Sequence, residues 1–115
     1  MDCYIVSTKH TRSDSKFITV WRPDNSGYAW PLPWAGKYSL DEVMADPGYY
    51  NSRRSTIAVP AEVLDAVAVK PEAGWIDEDV GPVVLNNADN WALILSNQIA
   101  IQRAQAAQGS EHGAQ

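Results

Sequence analysis

The stretch "WRPDNSGYAWPLPWAGKY" (21–38) gathers three of the chain's five tryptophans with three prolines and two glycines. Large rings on a stiffened backbone offer stacking and apolar contact at low conformational-entropy cost, as ligand pockets and binding hot spots require. Trp21, Tyr28, Trp30, Trp34 and Tyr38 are the candidate ring contacts, and Arg22 and Lys37 can pair with an anionic group. Asn25 and the main chain around Gly27 and Gly36 can supply hydrogen bonds. A second candidate surface is "GYYNSRR" (48–54), where Tyr49 and Tyr50 beside Arg53 and Arg54 can stack on bases or hold phosphate. If the two stretches meet in space they form an aromatic pocket with cationic edges, suited to a nucleotide-like ligand. Indoles also serve small domains as core lids, and a Tyr/Arg loop can be plain exposed surface, so both readings stay open.

Catalytic chemistry finds little to build on. His112 lies near the C-terminal end, and His10 sits beside Lys9 and Arg12, where a solvated strand end accounts for it. Cys3 has no histidine paired with it in the sequence and reads as a packed residue rather than a nucleophile. There is no Cys/His cluster of zinc spacing, no phosphate-cradling glycine loop and no nucleophile elbow. The acidic run "DED" (77–79) lacks the downstream carboxylate of a calcium loop. The expectation is a protein that is not an enzyme and takes neither cofactor nor metal.

Charge is unevenly spread along the 115 residues, whose formal net charge is −5. Residues 1–60 carry seven Lys/Arg against six Asp/Glu, and residues 61–115 carry two against eight. A uniformly basic nucleic-acid binder is therefore disfavoured, and direct nucleic-acid binding is not expected. The acidic half suits a basic partner surface. A single cysteine excludes an internal disulfide, and no apolar run approaches the roughly 20 residues of a membrane span. The N-terminus lacks a basic-then-apolar leader pattern, so the expected location is cytoplasmic.

These residues need elements to position them. "CYIVSTKH" (3–10) and "FITVW" (17–21) read as two strands of an antiparallel hairpin, joined by the polar turn 11–16. In the second strand Phe17, Thr19 and Trp21 share one face and Ile18 and Val20 the other, so the pair can be covered on both sides. "RPDNSG" (22–27) is a turn with Pro23 preset for its second position, and "YAW" (28–30) a short returning strand. Ser39 with Glu42 spells a capping box for a helix over 39–46, ended by Pro47 and Gly48. Residues 49–55 read as a polar loop, 56–59 as a strand, and 61–67 as a brief helix with Pro60 at its first position. Residues 70–82 read as a loop. A last helix is expected over 87–108, with Trp91, Ile94, Leu95, Ile99 and Ile101 docking on the sheet. The sum is one α+β domain over 1–108, a small antiparallel sheet packed against two or three helices, with a mobile tail at 109–115.

The pattern of Trp21, Pro23, Gly27 and Tyr28, then Ala35, Gly36 and Tyr38, then Tyr49, Tyr50, Asn51, Val59 and Pro60 resembles small proteins encoded by tailed bacteriophages and prophages. The likeness covers roughly residues 4–95 and carries no catalytic residues. It implies expression inside a bacterium and an accessory role. The resulting expectation is a protein that acts by binding a host bacterial protein, with inhibition of a defence system as its most specific form. Sequestering a small anionic ligand is the alternative, and a structural or virion-associated role a third.

Overall fold

A computed structural model describes residues 1–76 and 81–99. β1 (Asp2–Ser7) is the central strand. Along one edge it pairs with β5 (Thr56–Pro60) over its whole buried length, from Cys3↔Pro60 to Ser7↔Thr56. Two short strands share its other edge. β2 (Thr19–Trp21) pairs with its C-terminal end through Val6↔Val20, and β4 (Tyr38–Ser39) with its N-terminal end through Cys3↔Tyr38. β3 (Tyr28–Ala29) extends the sheet beyond β2. All pairings are antiparallel. The α+β class follows, and the hairpin over the first two strands is present.

The period-two alternation of the strands feeds two cores. Tyr4, Val6, Val20, Ile57 and Val59 join Leu64 of α3 (Ala61–Val67) and Ile94 of α4 (Ala88–Ser96) on one face. Cys3, Ile5, Trp21 and Ala58 join Val43 of α1 (Leu40–Ala45) and Ile99 on the other. Short helices thus cover both faces, which explains why β1 and β5 run apolar through Cys3–Val6 and Ile57–Pro60 instead of alternating with polar residues, the paired Ser7 and Thr56 at their shared end being the buried polar exceptions.

Several local signals act as the sequence suggests. Ser39 Oγ accepts from the Glu42 N–H at 3.1 Å, and Glu42 Oε1 accepts from the Ser39 N–H at 3.1 Å, which closes the capping box of α1. Other boundaries differ. β1 stops at Ser7, because the Ser7 carbonyl accepts from Thr11 Oγ1 at 2.7 Å and Thr8–His10 turn away from the strand. Pro23 opens its turn rather than filling the second position. The Ser26 N–H closes on the Pro23 carbonyl at 3.1 Å, and the central residues Asp24 and Asn25 both have φ 57°, a left-handed conformation that Asp and Asn tolerate well. Pro47–Tyr50 forms one further helical turn, α2, so the tyrosines are not in open loop. Pro60 ends β5 and caps α3 from outside.

The last helix is shorter than its pattern predicts. α4 closes at Ser96, where Asn97 takes non-helical angles. Ile94 is buried and Trp91 packs on the first core, whereas Leu95 is 53% exposed and does not dock. Leu95 follows Trp91 by four residues, within the apolar stripe that helical spacing predicts, but the cores close over Ile94 and leave Leu95 outside them. Ile101, the remainder of the expected helix, the tail at 109–115 and the acidic run 77–79 lie outside the described residues. No described helix is long and apolar enough to cross a membrane.

Two hydrogen-bond hubs fix the segments around the sheet. Asn51, on the turn before β5, is buried and its Oδ1 accepts from the Ala58 N–H at 2.9 Å, so a side chain occupies that donor of the edge strand. Asn86 Nδ2 donates to the Arg12 and Ser15 carbonyls at 3.0 and 2.8 Å, while its Oδ1 accepts from Trp91 Nε1 at 2.5 Å. The basic loop after β1 is therefore tied to the start of α4.

Candidate functional site

The 21–38 stretch is a β2–β3 hairpin followed by a 3₁₀ turn, and each part aims its rings differently. Trp21 and Tyr28 are paired residues and project from the same face of the hairpin. Trp21 is buried in the second core and packs edge-on against Tyr49, with centroids 5.2 Å apart. Tyr28 lies nearer the sheet edge and is 44% exposed. The 3₁₀ turn Leu32–Trp34 buries Leu32 in the first core, and at three residues per turn Trp34 two positions later is carried away from it. Trp34 is 46% exposed and Trp30 45%.

Tyr28, Trp30 and Trp34 wall a cleft of about 380 Å³, together with Arg22, His10 and Thr19. That volume lies in the range of small-molecule sites. The polar groups around it are held in place. Arg22 Nε donates to the Tyr28 carbonyl at 2.8 Å, and its guanidinium carbon lies 5.0 Å over the Trp34 ring. Trp30 Nε1 donates to Thr19 Oγ1 at 3.1 Å, and Thr19 Oγ1 donates to the His10 carbonyl at 2.9 Å. The His10 ring stacks on Tyr28, centroids 3.9 Å apart, and its Nδ1 is hydrogen-bonded to Ser7 Oγ at 3.0 Å. A stacked imidazole, a guanidinium on an indole and a half-exposed indole suit a flat, electron-rich or anionic group.

The twelve expected binding residues are divided among the cleft, the aromatic core, a polar recess and the exposed surface. Arg22, Tyr28, Trp30 and Trp34 come together at the cleft. Trp21 and Tyr38 are core residues, buried because α1 and α2 lie across them. Tyr38 also braces the hairpin turn, since its hydroxyl donates to the Arg22 carbonyl at 2.5 Å and accepts from the Asn25 N–H at 2.9 Å. Asn25, Lys37, Tyr38 and Tyr50 line a more polar recess of about 370 Å³. Tyr49 and Tyr50 join the Trp21 cluster, so the two aromatic stretches do meet. Arg53 and Arg54 stay exposed on the turn before β5 and line neither cavity.

His10 and Thr19 belong to the cleft but were not among the expected site residues. His10 reaches Tyr28 only because β1 and β2 pair and the loop after Ser7 folds over the hairpin, and no local pattern around His10 encodes that. Elsewhere Cys3 is buried, and loss of hydration pushes its thiol up, which fits a packed residue. Burial and the Asp65 carboxylate, which accepts from the Tyr4 hydroxyl at 2.7 Å, push the Tyr4 phenol up as well. No cluster of three or more His, Cys, Asp or Glu able to hold a metal ion occurs among the described residues. In comparisons with protein-family models, curated proteins and solved structures, the chain finds no match.

Proposed function

We propose that this protein is a non-enzymatic binding module, a phage or prophage accessory protein whose working surface is the cleft of Tyr28, Trp30 and Trp34. The observation that carries the proposal is that three large rings, each nearly half exposed, wall one recess of ligand size instead of closing over the core. The geometry favours a nucleotide-like ligand: a flat ring slides between the indoles, and Arg22 meets its anionic group. The accessory role itself draws on the resemblance to phage-encoded proteins.

A second reading, contact with a basic host protein, draws on the exposed acids Asp41, Glu42 and Glu62, carried by α1 and α3. The test is a titration of nucleotides against tryptophan fluorescence, repeated with Trp34→Ala. Saturable quenching that the variant loses while keeping its fold supports the cleft. A flat response across the panel, with a co-purifying protein whose hold weakens steeply with salt, supports the second reading instead.

A further inference from the structure

The cleft does not stand alone. Tyr28 also walls a recess of about 210 Å³ that holds Trp21 and Tyr49, and Asn25 joins that recess to the polar one beside Tyr38 and Tyr50. The cleft and this recess share the Tyr28 wall and run along the hairpin, while the polar recess beyond Asn25 carries carboxylates in its lining. Such a track is longer than a single ring system needs.

Cations flank it. The Thr8 N–H donates to the Ser55 carbonyl at 3.0 Å and Thr8 Oγ1 donates to the Arg54 carbonyl at 2.7 Å. These bonds hold the turn bearing Arg53 and Arg54 against the loop bearing Lys9, His10 and Arg12. On the other side Lys16 Nζ lies 4.5 Å over the Trp75 ring, which continues through Phe17 to Trp30. The side chains of Lys9, Arg53 and Arg54 are exposed and find no ion pair among the described residues, where the one ion pair is Arg12 with Asp14 at 3.6 Å. Asp2, Asp41 and Glu62 lie toward the opposite end of β1, whereas Asp24 and Glu42 line the polar recess. Among the described residues, the cleft and the Trp21 recess themselves have no acidic residue in their lining.

We infer that this face binds single-stranded nucleic acid, with bases stacked in the recesses and phosphates met by Arg22, Lys9, Arg53 and Arg54. The inference rests on the cleft being a ligand site. Exposed rings interleaved with cations are what unpaired bases on a phosphate chain require. A duplex keeps its base faces stacked away from the rings, and an acidic peptide offers the charge without them.

The test is fluorescence anisotropy with a labelled oligothymidylate of about a dozen nucleotides across about 50–200 mM salt. Binding should weaken with salt, and a duplex of equal length or a polyglutamate should bind at least about tenfold more weakly. Arg53 has φ 65°, so Arg53→Asn with Arg54→Gln removes both charges without backbone strain. That double variant should lower the log–log salt slope by about 1.4, at about 0.7 per phosphate lost. Trp34→Ala should weaken binding about 5- to 150-fold at an unchanged slope. Equal affinity for the duplex or polyglutamate, or an unchanged slope in the arginine variant, overturns the inference. Thymidine monophosphate binding as tightly as the oligomer overturns it too, yet leaves the cleft as a ligand site. Failure of both probes removes both.

Discussion

The Tyr38 hydroxyl donates to the carbonyl of Arg22 and accepts the N–H of Asn25, so one buried phenol on β4 closes the hairpin turn that carries the cleft's arginine. The turn's left-handed Asp24 and Asn25 are held from below by this contact. Tyr38→Phe removes both bonds and strands a carbonyl near the core. It should cost about 1–3 kcal/mol in chemical denaturation while leaving the fold intact. It should also weaken any ligand that depends on Arg22. Unchanged stability would mean that water replaces the hydroxyl at both groups.

Gly36 holds its place by close approach. A Cβ there would lie 2.7 Å from Pro23 Cα and 2.8 Å from a Tyr38 ring carbon, and the Gly36 N–H donates to the Trp21 carbonyl at 2.9 Å. Backbone cannot yield as a side-chain tip can. Gly36→Ala is expected to destabilise by about 1–3 kcal/mol through overpacking. Gly48→Ala, in the helical turn α2 where nothing lies within 4 Å, is the control and should hold or raise the denaturation midpoint, by up to about 1 kcal/mol of stability.

The tryptophans should separate by burial. Trp21→Ala empties the second core and should cost about 3–5 kcal/mol. Trp91→Ala loses packing on the first core and the bond to Asn86, and should also be strongly destabilising. Trp34→Ala loses chiefly its contact with Arg22, worth about 0.5–1 kcal/mol at an exposed site. Equal losses for Trp21→Ala and Trp34→Ala in thermal denaturation would refute the assignment of Trp34 to the surface.

Alkaline pH should unfold the protein through two phenols. Burial raises Tyr4 and Tyr38 above the ordinary tyrosine value of 10.0, Tyr4 furthest. Above pH 10 the unfolded chain releases these protons while the folded chain keeps them, so the unfolded state binds fewer protons and stability falls as pH rises. The contribution is whole below pH 10 and is lost as pH climbs through the raised folded values. Denaturation midpoints followed from pH 8 upward should decline beyond about pH 10, and Tyr4→Phe should flatten that decline.

What the residues determined by themselves is local or compositional. The capping box at Ser39 and the alternation through Phe17–Trp21 act within a turn or a pleat, so the α+β class could be read from them. The scarcity of histidine and cysteine is likewise independent of folding. Tertiary structure decided which rings are walls and which are core. Trp21 and Trp34 belong to the same proline-rich stretch, but α1 and α2 cross one and leave the other open. Pairing of β1 with β2 and β5 brought His10 to Tyr28 and set Arg54 beside Thr8. Leu95 fits the helical spacing and still faces outward, because burial depends on what packs against a position, and that is fixed only when distant segments meet.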